Sequence, residues 1–83
     1  MKQVFYQPAA ATALRRMPRN TALRIRSKIN AYAEDPASQR NNVTRLRGMD
    51  AIRLRVGDWR IIMVETEVIE VLRIGPRGNV YED

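Results

Sequence analysis

From Ile52 onward the chain alternates apolar residues with arginine, Ile52-Arg53-Leu54-Arg55-Val56. It breaks at Gly57-Asp58 and resumes as Trp59-Arg60-Ile61-Ile62-Met63-Val64. A period of two is the signature of a strand. A Gly-Asp pair between two such runs predicts a two-residue hairpin turn, because glycine takes the positive φ that the turn needs. The implied pairing sets Val56 across from Trp59, Arg55 from Arg60, Leu54 from Ile61 and Arg53 from Ile62. Strand side chains alternate between faces. Ile52, Leu54, Val56, Trp59, Ile61 and Met63 then share one face, and Arg53, Arg55 and Arg60 share the other.

The rest of the chain supplies elements to cover the apolar face. Lys2 to Gln7 is short, β-branched and aromatic, a first strand. Pro8 suits the opening turn of a helix, and the alanine-rich run after it ends in Arg15, Arg16 and Met17 before Pro18 stops it. Asn20 or Thr21 is expected to cap a second helix, in which Ala22, Ile25, Ile29 and Tyr32 recur at helical spacing. Glu34-Asp35-Pro36 ends that helix. Residues 37–50 read as a polar loop with a short strand near 43–46. Val68 to Ile74 is a further strand whose register stays open. A two-residue turn at Thr66-Glu67 sets Arg73 across from Arg60, but it also places Glu70 on the apolar face beside Met63, which tells against it. Residues 75–79 read as a loop, and Val80-Tyr81 as a short terminal strand. The order β-α-α-β-β-β predicts an α+β fold. It is a small antiparallel β-sheet packed on one side by an N-terminal helical hairpin, in a single domain over residues 1–83.

Charge changes this picture. The net charge is +6, and 13 of the 15 cationic residues are arginine, only Lys2 and Lys28 being lysine. Between Arg40 and Arg60 lie six arginines against two acids, Asp50 and Asp58. Such a balance on a chain this small suggests a polyanion or an acidic protein as partner. With no cysteine and no histidine, there is no disulfide framework, no thiolate metal site, and neither the commonest metal ligand nor the commonest general base. No apolar run is long enough to span a membrane and no signal-peptide core precedes the first strand, so a cytoplasmic protein is expected.

The Arg55/Arg60 pair is the anomaly. Like charges directly opposite on a sheet repel. Guanidinium groups, however, present forked donors that suit phosphate, so an anion between them resolves the conflict. The competing reading is a solvated face whose arginines lie apart or pair with local acids.

Three segments together resemble a known family: Arg45-Leu46-Arg47-Gly48-Met49, then Ile52 to Ile62 with its R-L-R-V-G-D-W-R core, then Arg77-Gly78-Asn79-Val80-Tyr81. On this element order and length they look like the RelE/ParE superfamily of bacterial type II toxins, RelE-like branch. The resemblance implies a ribosome-dependent endoribonuclease that cleaves translated mRNA and is held inactive by a cognate antitoxin. It also implies that the toxin–antitoxin complex binds operator DNA through the antitoxin. Arg53 and Arg55 match the two basic hairpin positions of RelE-type toxins, Arg60 the arginine opening the next strand, Arg77 the loop arginine and Tyr81 the terminal tyrosine.

The implied chemistry is attack of a 2′-OH on the adjacent phosphorus, which needs positioning, charge stabilisation and proton movement, and no metal or cofactor. In that scheme Arg60 clamps the transition state, and Arg77 is a second clamp or assists the leaving 5′-oxygen. Arg53 and Arg55 bind and polarise the phosphate, and Arg45 and Arg47 bind RNA. Arginine is a poor base with a pKa above ~12. Tyr81, with an ordinary pKa near ~10 that neighbouring guanidinium groups lower, is the expected base or orienter of the 2′-OH. Each assignment has a structural alternative. Arg60 can pair with Asp58 or Glu70, Tyr81 can pack under the sheet, and Arg15, Arg16, Arg24 and Arg26 read as solvated helix faces. Two other functions fit the same superfamily: a ParE-like inhibitor of gyrase without catalysis, and a degenerate module that mainly binds antitoxin.

Overall fold

The computed structural model describes residues 1–48 and 50–76. Strand β1 (Val4–Tyr6) leads into helix α1 (Pro8–Arg16) and helix α2 (Arg19–Glu34). A 3-10 helix (Pro36–Asn42) then precedes β2 (Val43–Arg45), β3 (Ile52–Val56), β4 (Trp59–Glu65) and β5 (Ile69–Pro76). The strands form one sheet in the order β1-β5-β4-β3-β2, and the α+β fold with a helical hairpin over one face is the expected one. The sheet is mixed rather than wholly antiparallel. β1 joins at the edge parallel to β5, with Val4 beside Ile69 and Tyr6 beside Val71; two helices and three strands lie between them in the chain, a connection long enough for the parallel pairing that a tight hairpin does not allow.

The β3–β4 hairpin has the register the alternation implied: Val56 faces Trp59, Arg55 faces Arg60, Leu54 faces Ile61 and Arg53 faces Ile62. Gly57 takes φ +59° in the turn. The apolar face meets the helices. Ala10 and Leu14 of α1 and Ile25, Ile29 and Tyr32 of α2 close over Leu54, Ile61, Met63, Ile69 and Val71, and Trp59 packs at the margin.

Three local expectations are corrected. Neither Asn20 nor Thr21 caps α2. Pro18 is the N-cap, and its carbonyl accepts from the Ala22 amide at 3.0 Å, while the Asn20 carboxamide bonds only the next amide, of Thr21. The proline's fixed φ both stops α1 and starts α2. The polar stretch after α2 begins as a 3-10 helix rather than a loop, capped by the Asp35 carboxylate on the Ala37 amide at 3.2 Å. β5 runs on through Gly75 and Pro76.

The register of the last strand, open from the sequence, is set by its turn. The turn after β4 holds three residues, so Glu65 pairs with Ile69 and Glu70 falls opposite Val64, off the apolar face. A bulge between Ile62 and Met63 then shifts the remainder. Arg73 stands across from Ile62, and Gly75, not Arg73, stands across from Arg60. The expected Val80-Tyr81 strand lies outside the described residues.

Candidate nucleic-acid interface

The face of the sheet turned away from the helices carries the arginines. Arg53 and Arg55 from β3 and Arg60 and Arg73 from β4 and β5 project there. Arg55 is exposed, while Arg53 and Arg60 are half-buried. Arg60 pairs with neither Asp58 nor Glu70. Its Nη1 donates to the carbonyl oxygens of Gly57 at 3.2 Å and Trp59 at 3.3 Å, so the guanidinium is drawn back over the turn. Glu70 is engaged elsewhere, accepting from Gln7 Nε2 at 3.1 Å. The charge at Arg60 is therefore held by backbone dipoles, and its remaining N–H donors stay available to a phosphate oxygen.

An apolar patch borders these arginines. Ala51 and Ile62 are buried on this face with Leu46, Val64 and Leu72 packed around them. The unbroken run Ile61-Ile62-Met63-Val64 is the sequence signal for it, since a strand that is apolar on both sides reads as a continuous run rather than an alternation. The patch sets an apolar floor beside the charges.

The other predicted residues divide. Arg47 is exposed in the turn after β2. Arg45 does not join the arginine face. It pairs with Ile52, on the helix side of the sheet, and lines a cavity of about 90 Å³ with Tyr32, Asp50, Ala51, Ile52 and Glu65. Arg77 and Tyr81 lie outside the described residues.

That cavity sits at the end of the sheet away from the hairpin turn, beside a second polar cluster. The Tyr32 hydroxyl donates to Glu65 Oε1, and Lys2 Nζ lies 2.9 Å from Glu65 Oε2 and also donates to the Thr66 carbonyl. Burial, with the hydrogen bond to Glu65 and the carboxylate charge behind it, pushes the Tyr32 hydroxyl up to about 12. Burial raises Glu65 in turn, but the hydrogen bonds from Tyr32 and Lys2 and the Lys2 charge outweigh it and hold the carboxyl below its usual value. At Tyr6 burial also wins, raising the hydroxyl although the Arg26 guanidinium lies 4.9 Å over the ring. Neither tyrosine is suited to act as a base near neutral pH. Among the described residues no three acidic side chains converge in a metal-binding group, and no helix is long and apolar enough to cross a membrane.

Arg24 is exposed, as a solvated helix position should be, yet it also has a neighbour in the sheet. A Cβ built on Gly57 would meet the Arg24 guanidinium at 3.5–3.8 Å. Arg24 thus reaches from α2 to the hairpin turn, a contact between residues 33 positions apart that no local pattern announces.

This architecture has close counterparts. The archaeal RelE–RelB complex from Pyrococcus horikoshii OT3 superimposes with a TM-score of 0.79 at 26% identity, over 94% of this chain and 97% of that one. The isolated E. coli RelE toxin gives 0.77 at 16% identity, over 95% and 87%, and the intact E. coli RelBE toxin–antitoxin complex 0.75 at 16%, over 95% and 100%. These last two share the fold. No curated protein sequence matches the chain. The family model for the ParE toxin of type II toxin-antitoxin system, parDE, matches residues 4–81. With nearly its whole length matched, the chain belongs to the ParE toxin family of type II toxin–antitoxin systems, within the RelE/ParE superfamily and with a RelE-like fold.

Proposed function

We propose that this toxin is a ribosome-dependent endoribonuclease that cuts mRNA by attack of the 2′-OH on the adjacent phosphorus. The observation that carries the reading is the Arg55/Arg60 pair: two arginines stand at one register position of an open sheet face, and among the described residues no ion pair joins a carboxylate to either. Repulsion of that kind is relieved by a bound phosphate. Arg60 clamps the charge that builds on the non-bridging oxygens in the transition state, with its side chain already fixed by the Gly57 and Trp59 carbonyls. Arg53 and Arg55 bind the ground-state phosphate, Arg47 extends the RNA path, and Arg77 supports the clamp or the leaving 5′-oxygen. Tyr81 accepts or orients the 2′-OH proton. It is the one tyrosine left for that task, because Tyr6 and Tyr32 are shifted away from it. Arg45 takes no part in the chemistry.

The likeness to RelE in complex with RelB supports a cognate antitoxin as partner; operator binding by the complex through that antitoxin and a cytoplasmic site of action are part of the same proposal. Incubation of the purified toxin with programmed ribosomes, read by primer extension on the mRNA, tests the reading. Cleavage that requires the ribosome supports it.

A second reading follows from the family model, which is that of ParE: inhibition of gyrase by binding alone. A toxin that leaves ribosome-bound mRNA whole and stalls purified gyrase on DNA is of this kind.

A further inference from the structure

Arg24 and Arg60 reach the same residue from opposite faces of the sheet. The Arg60 guanidinium donates to the Gly57 carbonyl at 3.2 Å from the arginine face. The Arg24 head group comes from the helix side, with Nη2 3.5 Å and Nη1 3.7 Å from the position of a Gly57 Cβ. Arg55, exposed, stands next to the same turn. Two guanidinium groups therefore meet at a two-residue loop, with Arg55 two positions before it in the strand. The acid within it, Asp58, is exposed, and among the described residues no ion pair joins it to any of them. Arg24 itself makes no hydrogen bond or ion pair among those residues. The helical layer behind it is basic as well. Residues 1–33 contain Lys2, Arg15, Arg16, Arg19, Arg24, Arg26 and Lys28, and the first acid in the chain is Glu34.

Concentrating cations at a tight turn costs energy unless an anion answers them. Holding one with its donors unused is the arrangement of a phosphate site. The glycine is suited to the place because the turn needs positive φ there, and the Arg24 head group lies within van der Waals reach of it.

We infer that the β3–β4 turn is a second phosphate-binding subsite, in which Arg24 binds the backbone of single-stranded RNA as it passes over the hairpin tip from the arginine face to the helix side. Arg24 is then a positioning residue. It holds the nucleotide next to the one that Arg55 and Arg60 engage, and it fixes how the strand enters the site. The inference rests on the reading of the arginine face as an RNA site, but not on cleavage.

The test is binding of a fluorescent, fully 2′-O-methylated single-stranded RNA 12-mer, which cannot be cut, to the full-length protein across a salt series. Arg24→Ala is expected to weaken binding about three- to ten-fold and to lower the slope of log Kd against log salt by about 0.7, the value of one phosphate contact on a single strand. Lys28→Ala, one helical turn farther from the hairpin, removes the same charge and is expected to change affinity less than about two-fold. Arg24→Lys should restore part of the slope, which a purely structural role does not predict, and thermal melts confirm that each variant is folded. Equal losses for Arg24→Ala and Lys28→Ala, an unchanged slope in Arg24→Ala, or no binding by the parent protein overturns the inference. Loss of the nuclease reading is seen separately, as intact mRNA on programmed ribosomes while the 12-mer still binds.

Discussion

Arg55 stands directly across from Arg60 in the β3–β4 ladder, two like charges at one register position, and only Arg60 is tied back by hydrogen bonds, to the carbonyls of Gly57 and Trp59. The pair is a cost to the free protein. Arg55→Ala is therefore expected to leave thermal stability unchanged or to raise it by about 0.2–1 kcal/mol, the range of a directly opposed pair on a sheet. Arg60→Ala loses its two backbone bonds as it relieves the same repulsion, and should fall within about 1 kcal/mol of the parent. A loss of several kcal/mol for either variant in urea melts would make the arginine a structural partner instead.

The Lys2–Glu65–Tyr32 cluster ties the N-terminal segment two positions before β1, the end of α2 and the end of β4 together. Tyr32→Phe removes one hydrogen bond and leaves the ring, and should cost about 0.5–1.5 kcal/mol. Its pH dependence has two arms. Glu65 is held below its ordinary value, so its contribution is complete above that value and disappears as pH falls through the lowered one. Tyr32 is raised to about 12 from 10.0, so its contribution is complete below about 10 and is lost as pH climbs toward 12. Stability measured by urea unfolding across pH should show both arms in the parent protein. Glu65→Gln should abolish the acid arm and weaken the alkaline one.

Gly57 holds φ +59° with only ordinary van der Waals space around a would-be Cβ. Gly57→Ala should then destabilise through the backbone and not through a clash, by about 1–2 kcal/mol, the cost of an L-residue in the left-handed region. Gly57→Asn, which tolerates that region better, should cost less. Equal costs for the two would point to the Arg24 contact as the cause.

An antitoxin that covers the arginine face must supply negative charge to it. In the complex purified by co-expression with the neighbouring gene, Arg55→Ala or Arg53→Ala should weaken assembly by at least ~2 kcal/mol if the pair is a buried hot spot. Retention of full affinity in both variants would place the antitoxin on another surface.

The hairpin was legible because its information is local: period-two alternation sets the register and a single Gly-Asp sets the turn, so the pairing of Arg55 with Arg60 follows from counting. What could not be read depended on one extra residue or on distance. A third residue in the loop after β4 moved Glu70 off the apolar face, and together with the bulge between Ile62 and Met63 it exchanged Arg73 for Gly75 beside Arg60. Neither leaves a mark in composition. The parallel placement of β1 depends on how the helical hairpin packs and not on its own three residues. Arg45 illustrates the limit most plainly. It is one basic residue among several in the same stretch, yet its register with Ile52 sends it to the Tyr32–Glu65 cavity and away from Arg53 and Arg55. Arg24 met Gly57 across 33 residues, where no periodicity reaches.

The central claim, that an arginine-lined sheet face drives attack of RNA's own 2′-OH, is tested most directly by single-turnover cleavage on ribosomes programmed with mRNA carrying one 2′-deoxy nucleotide at the cut site. The account predicts that the parent toxin cleaves the all-ribose message, leaving a 2′,3′-cyclic phosphate or its hydrolysis product on the upstream fragment. It predicts that the deoxy substitution stops cleavage at that site, and that Arg60→Ala lowers the rate far more than it weakens binding. Cleavage of the deoxy-substituted message at the rate of the all-ribose one would contradict it.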